Sequence, residues 1–88
     1  KLSVRGYIKD ADGNPIQKVT VTTLNGKRET KTSAKGYFAF KNLPLGIDTL
    51  IFQKVQFNEL RTTVGIVKAE RVELNIILEN TQSQSGAA

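Results

Sequence analysis

The feature that most constrains this chain is an alternation of period two. Leu2, Val4, Gly6 and Ile8 alternate with Ser3, Arg5, Tyr7 and Lys9. Successive side chains of a strand point to opposite faces, so this pattern turns one face to a core and the other to solvent. It returns in Val19 and Val21 against Thr20 and Thr22, in Phe38 and Phe40, and in Leu50 and Phe52. Near the end, Val72, Leu74, Ile76 and Leu78 alternate with Glu73, Asn75 and Ile77. No segment long enough for a stable helix carries a period of 3.6. The chain is therefore expected to be all-β.

Turn chemistry separates the strands. Asp10-Ala11-Asp12-Gly13-Asn14-Pro15 ends the first one, since Asp and Asn close local turns and Pro cannot continue a ladder. Asn25-Gly26 predicts a tight hairpin with positive φ at both central residues. A polar strand follows over 29–33, with Thr30 and Thr32 inward. Ala34-Lys35-Gly36 and Leu43-Pro44-Leu45-Gly46 bracket a strand at 37–41, and further strands are expected at 49–57 and 60–67, the latter interrupted by Gly65. Lys68-Ala69-Glu70 leads into the last strand. About seven short strands with turns roughly every eight to twelve residues predict a seven-stranded antiparallel Greek-key β-sandwich. Its expected core is Val4, Ile8, Val19, Val21, Phe38, Phe40, Leu43, Leu50, Phe52, Val72, Leu74, Ile76 and Leu78. Truncating Phe38 or Phe40 to Ala should cost roughly 3–5 kcal/mol. The domain is expected to fill residues 1–79. Residues 80–88, small and polar without an apolar anchor, read as a flexible tail or linker.

With 88 residues and 39% apolar content there is material for one modest core and not two. No apolar run approaches the roughly 18–20 residues of a membrane span, so direct membrane insertion by this domain is not expected. No signal peptide is recognisable, and the strand pattern starting at Lys1 reads as part of something larger. The net charge is +5, but the cationic residues are dispersed and only Lys27 and Arg28 are adjacent. That dispersion reads as a solvated surface.

One ordered set of spacings is more specific than any single strand. Val4-x-Gly6-x-Ile8-x-Asp10-x-x-Gly13-x-Pro15-Ile16-x-x-Val19-x-Val21 opens it. Thr32, Gly36-x-Phe38-x-Phe40, Leu43-Pro44-x-Gly46 and Leu50-x-Phe52 continue it. Together these resemble the carboxypeptidase regulatory-like domain, one of the transthyretin-like (prealbumin-like) sandwiches. Gly6 fits an inward position where a missing side chain lets a backbone or ring come close. Three positions depart from the family pattern. Thr32-Ser33 stands where Thr-Asp is frequent, Asp48 replaces a usual tyrosine, and Gln56-Phe57 replaces Gly-Tyr.

The resemblance implies a non-enzymatic accessory or docking module of a larger protein. The short form here, with Ile16, Val19 and a last strand ending in Leu78, is similar to the bacterial type. That type is found as the N-terminal extension of TonB-dependent outer-membrane transporters, especially in Bacteroidetes. The implied location is the bacterial periplasm or cell surface. The implied partners are other domains of the parent protein or other envelope proteins; no cofactor is implied, and the sequence does not identify a small-molecule ligand. Two alternatives remain open: an extracellular adhesion or carbohydrate-binding module, and the accessory domain of a zinc carboxypeptidase.

The residues themselves argue against chemistry. There is no histidine and no cysteine, so the usual neutral-pH acid–base, a Ser-His-Asp triad and a thiolate nucleophile are all missing. The same absence excludes the histidine-dependent purine-pathway hydrolase that shares the transthyretin-like fold. Asp10, Asp12 and Asn14 resemble the start of a calcium loop, but no glutamate follows at the distance such a loop needs; an Asx-type turn is the expected role. Related collagen-adhesin repeats join an early Lys to a late Asn beside a buried acid. Alternation instead places Lys9, Asn75 and Glu73 outward. Binding of nucleic acid is not expected, because only Tyr7 (with Arg5 and Lys9) and Tyr37 (with Lys35 and Lys41) pair an aromatic ring with cations. The candidate docking surface is the set of outward apolar residues Tyr7, Leu24, Tyr37, Ile51 and Ile77, should they cluster.

Overall fold

A computed structural model describes residues 2–68 and 70–81. Seven strands follow one another: β1 (Leu2–Lys9), β2 (Thr20–Thr23), β3 (Glu29–Lys31), β4 (Tyr37–Lys41), β5 (Gly46–Gln53), β6 (Leu60–Ile66) and β7 (Val72–Ile77). They form a three-stranded sheet ordered β4-β1-β7 and a four-stranded sheet ordered β3-β2-β5-β6. The alternating apolar faces of the two sheets meet in one core, as in a β-sandwich. Four of the five strand pairings are antiparallel. β1 and β7 run parallel, with Val4 opposite Val72 and Lys9 opposite Ile77, so the expected all-antiparallel pairing fails at one edge. The first and last strands enter this sheet from the same end, which alternation within each strand cannot reveal.

The core holds Val4, Ile8, Val19, Val21, Phe38, Phe40, Leu43, Leu50, Phe52, Ile76 and Leu78, as the sequence leads one to expect. Ile16, Val64 and Ile66 join it. Val72 and Leu74 are only partly buried, because β7 is an edge strand that barely meets β6 of the opposing sheet. β5 starts at Gly46 (φ +117°), three residues earlier than the sequence suggested, and stops at Gln53.

The turn after β2 is wider than a two-residue hairpin. Thr23 and Arg28 close it through Thr23 N–H to the Arg28 carbonyl, Lys27 N–H bonds the Thr23 carbonyl, and the positive φ falls on Lys27 (φ 55°). The cause is Asp48, which stands where the family usually has tyrosine. Its buried carboxylate accepts the N–H groups of Asn25 (2.8 Å) and Gly26 (3.0 Å), drawing both amides inward. At the other end of the sandwich, the Thr32 hydroxyl donates to the Ile16 carbonyl (2.7 Å) and accepts from Val19 N–H (2.9 Å). That buried link pulls Ile16 into the core. Asn80 pairs with Phe57, and Thr81 N–H bonds the Gln56 carbonyl, so these two residues of the expected tail are joined to the segment after β5. The rest of the expected tail, residues 82–88, lies outside the described residues.

Candidate docking surface

The pleat of the β4-β1-β7 sheet sends Arg5, Tyr7 and Lys9 of β1 to the outer face, beside Tyr37 of β4 and Glu73, Asn75 and Ile77 of β7. Tyr37, Tyr7 and Asn75 form one cross-strand row, and Lys9 and Ile77 the next. The two tyrosine rings are in contact, with centroids 5.3 Å apart and planes inclined by 56°. Ile77 sits diagonally across from Tyr7 and is 61% exposed. Three of the five candidate residues thus share one neighbourhood.

The other two do not belong to it. Leu24 follows β2, with its N–H on the Thr49 carbonyl, and Ile51 stands in β5 opposite Thr22 and Arg61. Both face outward from the β3-β2-β5-β6 sheet, on the opposite side of the sandwich, and Ile51 is half-buried. The five residues form two groups and not one patch. Sequence reasoning missed Ile47, which is 67% exposed on the outer side of β5. It shares parity with Ile51, but the glycine break at Gly46 disguised it as loop.

Charge on the outer β4-β1-β7 face is arranged around Glu73. Arg5 (3.0 Å) and Arg71 (3.1 Å) both bond its Oε2. The hydrogen bonds from Arg71 and Arg5 hold the Glu73 carboxyl below its ordinary range, and Glu73 in turn raises the Arg5 guanidinium. On the other sheet, hydrogen bonds from Arg61 and Gln53 lower the Glu59 carboxyl. Lys9 and Asn75 are exposed and Glu73 is engaged by arginines, so the Lys-Asn-acid trio of the adhesin repeats is not assembled.

A concavity of about 450 Å3 opens beside Tyr7, bounded by Lys9, Gly13, Pro15, Ala34, Lys35 and Asn75. Two turns build its walls. In the first, Asp10 Oδ1 accepts the N–H groups of Asp12 and Asn14, an Asx-type turn in which Gly13 takes φ +88°. In the second, Gly36 adopts φ +76° and its carbonyl accepts Ile8 N–H, fixing Lys35 beside the end of β1. Ile16 N–H, in turn, bonds the Ile8 carbonyl, which holds Pro15 in place. The buried polar side chains elsewhere all serve the backbone: Ser3 accepts Leu43 N–H, Thr23 accepts Arg28 N–H, and Thr32 and Asp48 bond as described above. Among the described residues, no three His, Cys, Asp or Glu side chains converge.

These features define a class: a small two-sheet β-sandwich whose polar interior is structural. The chain belongs to the carboxypeptidase regulatory-like domain family, whose model matches residues 3–79. No curated protein matches it in sequence. Among solved structures, the Bacillus anthracis TIE protein is similar over 90% of this chain, with a TM-score of 0.77 and 17% identity. A chain of a type II cohesin–X-dockerin complex from Acetivibrio cellulolyticus is similar over 85%, with a TM-score of 0.62 and 24% identity. This chain spans 16% of the first and 55% of the second. At these identities the likeness concerns the fold.

Proposed function

We propose that the domain is a non-enzymatic docking module of a larger bacterial cell-envelope protein, in particular the periplasmic N-terminal extension of a TonB-dependent transporter. It docks through the outer face of the β4-β1-β7 sheet. The observation that carries this is the cluster of Tyr7, Tyr37 and Ile77 on one exposed sheet face, an apolar patch beside paired charges. The family's regulatory-like character, the lack of histidine and cysteine, and the bacterial-type spacings support it. So does the occurrence of the same fold as part of longer chains in both structural relatives.

Separate substitutions on the two faces test the docking face. Ile77→Lys should weaken association with the parent's neighbouring domain about tenfold or more, whereas Ile51→Lys should leave it within about twofold. The reverse ranking would overturn the assignment of the face. The parent is tested by the sequence that follows residue 88: a plug domain and barrel accord with the transporter, whereas further sandwich repeats or a surface anchor favour adhesion.

A further inference from the structure

The docking reading leaves the partner's chemistry open, and the concavity beside Tyr7 narrows it. Resting on that reading, we infer that this concavity holds an acidic peptide segment of the partner. Lys9 at the end of β1 and Lys35 in the turn before β4 line the concavity from two different parts of the chain. Among the described residues neither lysine has an ion-pair partner. The acid on this face, Glu73, is already engaged by Arg5 and Arg71. Asp10 and Asp12 lie in the adjoining turn, but neither lines the concavity, and Asp10 Oδ1 is occupied by two backbone amides. Two lysines without an ion-pair partner among the described residues therefore line the concavity together with Tyr7, Pro15 and the Asn75 amide, which can bond a peptide backbone. That combination of cations, an aromatic ring, a proline and an amide suits carboxylates carried on an extended chain.

The volume lies within the range of about 300–1,000 Å3 typical of ligand sites. Peptide fits better than an acidic saccharide. Successive sugar rings stack on a continuous flat platform, whereas these rings are inclined by 56° and Tyr37 is half-buried.

Tyr7 and Tyr37 are the only tyrosines of the chain and there is no tryptophan, so intrinsic emission comes only from Tyr7, which lines the concavity, and from Tyr37, whose ring contacts it. The probe is a synthetic peptide of alternating Glu and Pro, about ten residues long, titrated at low salt. A saturable change in emission is expected. Lys9→Glu with Lys35→Glu should weaken binding about tenfold or more. Lys31→Glu with Lys54→Glu, which removes the same net charge on the far sheet, should change it less than about twofold. Circular dichroism verifies that both variants fold. Equal losses from the two pairs would reduce the effect to net charge and overturn the inference. So would binding of an oligogalacturonate of matched charge as tight as the peptide, or no saturable change at all. Loss of peptide binding with docking still sensitive to Ile77→Lys would sink this inference alone. Insensitivity of docking to Ile77→Lys would sink the docking face itself.

Discussion

Gly6 and Phe38 face each other across β1 and β4 so closely that a Cβ on Gly6 would lie 2.9 Å from the Phe38 ring. On its other side that Cβ would strike the Leu74 carbonyl of β7. The ring cannot easily retreat, because it packs edge-on against Phe52 and Phe40, with centroids 5.6 and 6.5 Å away. Gly6→Ala therefore forces a backbone or a core ring to move. It should destabilise the domain by about 1–3 kcal/mol, read from the midpoint of urea unfolding; a loss below about 0.5 kcal/mol would mean the core is more plastic than its geometry shows.

Asp48 joins β5 to the turn after β2. Its carboxylate accepts three backbone N–H groups, from Asn25, Gly26 and Thr49, and it is almost fully buried. Hydrogen bonds to a charged group contribute about 1.5–3 kcal/mol, and orphaning buried donors adds to the loss. Asp48→Ala should therefore cost about 2 kcal/mol or more, and Asp48→Asn, which gives up an acceptor, a large part of it. Amide exchange at Asn25 and Gly26 should accelerate in both variants. Protection left unchanged at those amides would show that the turn holds without the carboxylate.

Glu73 and Glu59 give the domain a mild acid sensitivity. Both carboxyls are depressed in the folded state, Glu73 by Arg71 and Arg5, and Glu59 by Arg61 and Gln53. A depressed carboxyl contributes stability above its unfolded value, near 4.5, and loses it as pH falls through the lower folded value. Tm should therefore decline below about pH 5, and less steeply at high salt, because these exposed pairs are screened. Glu73→Gln should flatten that acid limb by lowering Tm at pH 7 slightly, towards its acid value, because the variant lacks the paired carboxylate at every pH. An identical slope in the variant would remove Glu73 from the account.

Much of this was legible in the sequence for a simple reason: period-two alternation identifies faces. It placed Val4, Ile8, Phe38 and Phe52 inward and Tyr7 and Ile77 outward, and the inward Gly6 foretold a close approach by a backbone or ring, though not which one; the Leu74 carbonyl and the Phe38 ring make it. Position within a sheet is another matter. Val72 and Leu74 alternate as well as any core residues, yet their strand lies at an edge, where they are packed against the core but only partly buried. Val64 and Ile66 carried the same signal, obscured by Gly65 between them. Ile16 had no periodic partner and is drawn in by Thr32, a contact between distant segments. The Asn25-Gly26 turn was misjudged because Asp48, 22 residues beyond Gly26, decides its shape. The five outward residues separated into two faces because alternation tells outside from inside but not one sheet from the other.

Hydroxyl-radical footprinting of the domain alone and within its parent tests the central claim most directly. Tyr7 and Ile77 are exposed on one face of the isolated domain, and Leu24 is exposed on the opposite one. If the domain docks through the β4-β1-β7 face, labelling of Tyr7 and Ile77 should fall several-fold in the parent while Leu24 stays as reactive as before. Unchanged labelling of Tyr7 and Ile77, or protection of Leu24 in their place, would contradict it.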